Sequence, residues 1–220
     1  LLAWLALRET VRPAAAAKQA PFFAGFRDLD RPTRRLLAVA FLFTLARFSE
    51  GSLVLRTLEA GVPAALSPLA LVLFNIGFMA LAYPAGAVSD RTNPRHILMA
   101  GMVVLIAADL ILSRDLGYAR LGLGTLLWGA HMALTQGILA RMIADVAPPH
   151  LRATSFGAFH FVSGVATLLA SLAAGLLWDR DGFEATFLAG AGAAAVALAM
   201  LNLLGERSSP SGGGGSRVSG

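Results

Sequence analysis

From residue 35 to residue 204 the chain repeats one pattern: a long apolar run, then a short cluster of glycine, proline or charge. The runs lie near 35–59, 68–89, 97–113, 119–144, 153–178 and 183–204. A helix of about 20 residues crosses a hydrocarbon layer roughly 30 Å thick. Inside that layer each backbone N–H and C=O must find a partner within the protein, and runs this long and unbroken meet the demand as helices. The breaks are marked by Gly61-Val62-Pro63 and Ser67-Pro68, by Asp90 to Arg95, by Arg114-Asp115, by Pro148-Pro149 and by Asp179 to Gly182. The expected fold is an all-α membrane protein of six transmembrane helices.

Composition excludes the alternatives. Only 14% of residues are charged and 56% are hydrophobic, with a mean hydropathy of +0.68. A soluble domain carries about 25% charged residues. The net charge of +5 would suggest nucleic acid in a soluble protein. In this chain its distribution along the loops is the informative part, and no nucleic-acid partner is expected. The chain has no cysteine, which excludes disulfides and thiolate metal sites. Neither a cofactor nor a metal is expected. No GxxxxGK[ST] loop is present, which disfavours nucleotide hydrolysis.

Loop charge sets the expected orientation. If the segment before residue 35 is cytoplasmic, so are Arg91, Arg95, Arg141, Arg152 and Arg207, while Arg56, Arg114, Arg120 and Arg180 lie outside. Thirteen of the 18 Lys and Arg then face the cytoplasm, four face away and Arg47 sits within a span. Both ends are expected to be cytoplasmic. Residues 1–7 read as the end of a truncated preceding transmembrane helix, and 8–34 as a cytoplasmic loop between halves. The bundle occupies 35–204, and the Gly-rich segment 205–220 reads as a flexible tail or linker.

An internal repeat organises the spans. Gly86-Ala-Val-Ser-Asp90-Arg91 follows the second run, and Gly175-Leu-Leu-Trp-Asp179-Arg180 follows the fifth, 89 residues later. The same offset carries Ala100-Gly101 onto Ala189-Gly190. Three helices separate the copies, so they fall on opposite membrane faces, which describes two inverted three-helix repeats. Gly86 to Arg95 resembles the cytoplasmic loop signature G-x-x-x-D-[RK]-x-G-[RK]-[RK] of the major facilitator superfamily, with Asn93-Pro94 in place of the usual Gly and basic residue. Pro148 to Gly157 resembles the start of that family's eleventh helix, and Ser49 to Arg56 is similar to the seventh helix of a bacterial permease subgroup. The resemblance spans residues 1 to 204 and implies the C-terminal half of a transporter in a bacterial inner membrane. It further implies a missing N-terminal half, or a second copy, as partner. Gly86, Asp90, Arg91 and Arg95 would then form a gating loop, Asp90 accepting hydrogen bonds from a neighbouring helix N-terminus and the arginines pairing with carboxylates or lipid headgroups.

Polar residues within the runs are the candidate site. A charge at a helix centre costs about 2.5–3.5 kcal/mol on insertion scales. Arg47 and Glu50 lie near the middle of the first run, and at a spacing of i, i+3 they share a helix face. The pair can neutralise itself or bind a charged group of a small-molecule substrate, and Glu50 is the candidate for proton coupling. His131 and Gln136 in the fourth run, His160 in the fifth and Asn75 in the second complete the set. Asp109 lies about one turn from a helix end and is expected to snorkel to the interface. The leading function is secondary transport of a small solute by alternating access, proton-coupled and non-enzymatic. A serine hydrolase built on Ser163-Gly164 with His131 or His160 lacks the glycine on the N-terminal side of the serine, and no strained turn is signalled. A non-transporting membrane sensor or assembly module is the remaining alternative.

Overall fold

A computed structural model describes residues 26, 28–115 and 117–206, with no strand among them. Residues 1–7, 8–25 and 27 of the expected 8–34 loop, and 207–220 of the expected 205–220 tail, lie outside the described residues, while 31–34 and 205–206 belong to helices. Helix α1 (Arg31–Ala46) starts where Asp30 accepts a hydrogen bond from the Thr33 N–H at 3.2 Å, with Pro32 in the first turn where no N–H is needed. Helix α2 is Gly51–Glu59, α3 is Leu69–Ser89 and α4 is Pro94–Leu112. Asn93 caps α4 through the Arg95 N–H at 3.0 Å, with Pro94 as the first helical residue. This cap explains the Asn-Pro that departs from the usual loop signature: the pair starts the next helix. Helix α5 is Tyr118–Val146; a 3-10 turn at Pro149–Leu151 leads into α6, Arg152–Glu206.

At 55 residues α6 would extend about 80 Å if straight, far beyond one crossing. It is not straight. Gly182 adopts φ 81° and ψ −178°, a conformation that favours glycine, and divides the helix into limbs 152–181 and 183–206. The ring centroids of Trp178 and Phe187 lie 6.0 Å apart. Nine residues of continuous helix would separate them by about 13 Å along the axis, so the second limb folds back beside the first. The Asp179-to-Gly182 break is therefore a true turn between two runs.

Four stretches are long and apolar enough to cross a membrane: Arg31–Glu59, Leu69–Ser89, Pro94–Leu112 and Pro149–Leu203, the last containing both limbs of α6. Helix α5, with 29 residues, has the length but carries Arg120, His131, Gln136, Arg141 and Asp145. It is also the central element, packing most extensively against α4 and α3, while α1 runs along α6 and α4 reaches across to α6.

Glycine lets these helices approach closely. A Cβ on Gly129 of α5 would run into the Phe74 carbonyl oxygen of α3, and a Cβ on Gly77 of α3 into the Leu126 carbonyl oxygen of α5. Gly101 of α4 meets Thr135 and Leu134 of α5 in the same manner. Between helices in lipid, such backbone proximity replaces the hydrophobic drive available in water. The two glycine pairs of the repeat behave alike: Gly86 and Gly175 face open space, whereas Gly101 and Gly190 are both at tight contacts.

Arg56 holds the far end of α4. It is only 2% exposed, and it donates from Nε to the Leu112 carbonyl at 2.9 Å and from Nη2 to the Arg114 carbonyl at 3.0 Å. Its guanidinium stacks 3.9 Å from the Phe183 ring centroid, so it also ties α2 to the second limb of α6. Gly129→Ala is expected to lower stability by about 1–3 kcal/mol, because its methyl must displace backbone. Gly192→Ala, which meets nothing within 4 Å, should be neutral or stabilising. Melting of the two variants in detergent checks this, and equal melting temperatures would remove the crossing as a determinant.

Candidate functional site

The first run is one crossing in sequence but two helices in structure. Helix α1 stops at Ala46; Arg47 is extended, at φ −107° and ψ 91°, and α2 resumes at Gly51. Phe48 anchors the break by burying its ring against Trp128 and Phe187, with centroids 6.3 Å and 5.3 Å away. Ser49 restarts the helix, its Oγ accepting from the Gly51 N–H at 3.3 Å and its carbonyl from the Ser52 N–H at 3.0 Å. Arg47 and Glu50 therefore do not share a helical face as their spacing implies, and they form no ion pair.

Arg47 points elsewhere. Helices α1 and α5 touch only sparingly, and between them, closed by α3 and the first limb of α6, lies a cavity of about 500 Å³. Phe43, Thr44 and Arg47 line it from α1 and the break, Phe78 and Ala82 from α3, Met132, Thr135 and Gln136 from α5, and Phe159, His160 and Ser163 from α6. Three candidates separated by up to 113 residues, Arg47, Gln136 and His160, thus meet at one wall. Arg47 donates from Nη1 to the Met132 sulfur at 2.9 Å, and its guanidinium carbon lies 5.7 Å from the Phe43 ring centroid.

The other candidates lie apart. Glu50 is partly exposed just beyond the break and lines no described cavity; a second cavity of about 350 Å³ runs beside it, between Ser49, Ser52, Ser171 and Trp178. Asn75 is exposed on α3 and spends its amide on the Leu71 carbonyl one turn back, at 2.7 Å. His131 is fully buried against Trp128 and Phe43, with ring centroids 4.8 Å and 6.5 Å away, and does not reach the cavity. Ser163 borders the same cavity as His160, but its Oγ makes no hydrogen bond, so no serine–histidine dyad is formed.

The Major Facilitator Superfamily model matches residues 36–218. The chain belongs to this family. An uncharacterized MFS-type transporter of Methanocaldococcus jannaschii is 30% identical over 185 residues, covering 81% of this chain and 46% of that protein. A second, of Mycobacterium tuberculosis, is 28% identical over 59% of this chain and 25% of its own length. The mouse solute carrier family 2 facilitated glucose transporter member 4 is 25% identical over 55% of this chain and 24% of its own length. The POT family transporter PepTSo superposes with a TM-score of 0.68 at 15% identity, over 81% of this chain and 38% of that one, a likeness of fold alone. The chain thus spans less than half the length of each of these relatives.

Within the MFS fold, the loop signature lies at the end of α3. Asp90 accepts a hydrogen bond from Arg141 Nη1 of α5 at 2.7 Å, the same nitrogen reaches Ser89 Oγ at 2.9 Å, and Arg141 Nε lies 3.7 Å from Asp145. The partner of Asp90 is therefore an arginine near a helix C-terminus. Arg95 donates to the carbonyls of Leu201 at 3.1 Å and Asn202 at 2.9 Å, at the negative end of the second limb of α6. Gly86 borders the small cavity beside Asp90 and Arg141, and Arg91 is exposed.

Asp109 corrects the sequence-based expectation. It does not snorkel; its exposure is 0%. Oδ1 accepts from the Trp128 indole N–H at 3.1 Å, and Oδ2, without a hydrogen bond, faces Gly190, whose absent Cβ would lie 2.8 Å from it. That Cβ would also crowd Phe48 and the Ala46 carbonyl, so Gly190 exists to admit α4 and the helix break to one point. The sequence signal was available: a Trp and an Asp in adjacent runs, with the repeat-related Gly190 opposite. Trp128→Phe removes the one hydrogen bond of Asp109 and should cost about 1–3 kcal/mol. Much of that loss should return in Trp128→Phe with Asp109→Leu, which removes both groups; a thermal melt of the single and double variants decides it.

Proposed function

We propose that the chain forms one wall of a secondary transporter that moves a small solute by alternating access. The observation that carries this reading is the cavity between α1 and α5. In it, polar groups from three elements, Arg47 at the break, Gln136 of α5, and His160 and Ser163 of α6, converge among helices long and apolar enough to cross a membrane. Polar groups there are expensive and are kept where they line a water or solute path. Family membership supports transport as the activity, and the greater length of the relatives supports an opposing bundle, or a second copy, on the other side of the cavity. Residence in a bacterial inner membrane with both ends cytoplasmic rests on the loop-charge bias and the permease resemblance.

The break at Arg47 to Ser49 supplies the moving part. Two short helices joined by an extended residue can change their mutual angle without stretching a helix, and the wall residues change with them. The Asp90–Arg141 pair at the end of α3 acts as the latch that favours one arrangement. Its exposure limits its worth to about 1 kcal/mol or less. That is small for stability, yet a shift of this size changes the population of a minor state by about fivefold.

Proton coupling is assigned to Glu50, the one carboxyl at the break, with His160 as the titratable group on the cavity wall. The family includes a transporter named as facilitated, so coupling is not carried by membership. Reconstitution of the full-length protein in proteoliposomes, with uptake screened across metabolites, tests transport itself; binding of a protein partner without any solute flux would overturn it. Glu50→Gln should abolish accumulation driven by a pH gradient while leaving exchange measurable; unchanged pH dependence would make Glu50 structural. Asp90→Arg should slow transport about fivefold. Adding Arg141→Asp should recover most of that loss, and failure of the swap would remove the latch.

A further inference from the structure

The cavity wall carries a positive charge with no carboxylate in contact with it among the described residues. The Arg47 guanidinium has five N–H donors. Among the described residues it makes one hydrogen bond, to the Met132 sulfur, a weak acceptor, and no ion pair. The Phe43 ring and the carbonyl end of α1 offset part of the charge. Glu50 attracts Arg47 from a distance but does not reach it.

Among the described residues, no aspartate or glutamate lines the cavity. The other polar residues lining it are neutral or basic: Thr44, Thr135, Gln136, His160, and Ser163, whose Oγ is buried without a partner. The remainder is apolar and includes Phe78, Leu139 and Phe159. A volume of about 500 Å³ falls within the range of roughly 300–1,000 Å³ that suits a small organic ligand.

We propose that this cavity binds a small organic anion, its compact headgroup on the free Arg47 donors and its aromatic or branched body against Phe78 and Phe159. The proposal rests on the reading of this cavity as the solute site. Arg47 takes the headgroup through charge-assisted hydrogen bonds, and its planar fork suits a carboxylate in particular. Gln136 and Ser163 are placed to donate to further oxygens. A cationic solute would meet Arg47 with no carboxylate to receive it, and a neutral one would leave the guanidinium unpaired.

Matched probes test this on the full-length protein in detergent: phenylacetate, phenylacetamide and phenethylammonium, with acetate and 1-naphthylacetate as smaller and larger acids. Affinity is read by thermal shift and by saturation-transfer NMR. Phenylacetate is expected to bind about tenfold or more tightly than its amide, with no binding of the ammonium. Arg47→Gln should erase the preference, Arg47→Lys should keep part of it, and Asn75→Ala, on the outer face of α3, should leave it in place. Equal binding of acid and amide overturns the proposal, and so does binding of the ammonium. Binding of no acid also overturns it, as does a preference that survives Arg47→Gln. The wild-type acid-to-amide ratio decides even if the Arg47 variants do not fold. Counterflow of the preferred acid in proteoliposomes is read separately: preferential binding without counterflow would end the transport reading and leave the anion site standing.

Discussion

The crossing of α3 and α5 at Gly77 and Gly129 fixes the rest of the bundle. At that point each helix presents a bare Cα to a carbonyl oxygen of the other, at Phe74 and at Leu126, and no side chain fits between. Beside it, Phe78, the next residue after Gly77, and Met132, about one turn past Gly129, line the cavity. The crossing therefore sets how far apart the α3 and α5 walls stand. Helix α4 is drawn onto α5 by Gly101, and α6 onto α4 and the helix break by Gly190. Because lipid offers no hydrophobic gain for helix association, shape at these contacts, together with a few buried polar bonds, holds the arrangement.

Against this close-packed side stands the loose one. Helix α1 lies along α6 but scarcely touches α5, and the cavity occupies the difference. The break in the first run belongs to the same division. Continuous helix through Arg47 would carry every backbone bond internally; the extended residue gives up that economy at the cavity's edge. Phe48 compensates by filling the aromatic core with Trp128 and Phe187. The break is thus nailed on its buried side and open on its cavity side, which turns Arg47 into the lumen and leaves Glu50 outside it.

Run length and punctuation in the sequence announce the crossings, and Gly182 alone accounts for the turn inside the longest helical stretch. The repeat offset pairs Gly101 with Gly190 before any contact is known, and both prove to be close-approach sites. Arg47, Gln136 and His160 were legible as candidates because a polar group inside an apolar run is conspicuous. What periodicity cannot supply is where a helix stops without glycine or proline. Arg47, Phe48 and Ser49 carry no breaker, and the break depends on tertiary burial of Phe48. For the same reason His131 and Asn75, equally conspicuous in sequence, turn away from the cavity: their faces are decided by the Gly77–Gly129 crossing, which places one in the core and the other on the outer surface.

Asp109 shows how the two polar populations divide. Its carboxyl, the Trp128 indole and His131 form a buried row through α4 and α5, while Arg47, Gln136, His160 and Ser163 form an open row on the cavity wall. The rows meet at the break: Phe48 packs on Trp128, Gly190 brings the Ala46 carbonyl beside Asp109, and Arg47 is the next residue along. A change in the angle between α1 and α2 would therefore disturb the Asp109 row as well as the cavity wall. Burial makes the Asp109 row stiff, because each of its few partners is hard to replace away from water. The wall has fewer such ties: Arg47 holds only the Met132 sulfur, and Ser163 Oγ has no hydrogen-bond partner. On the proposed alternating-access reading, a stiff row directly behind the cavity wall would hold the break to defined positions in place of a continuum.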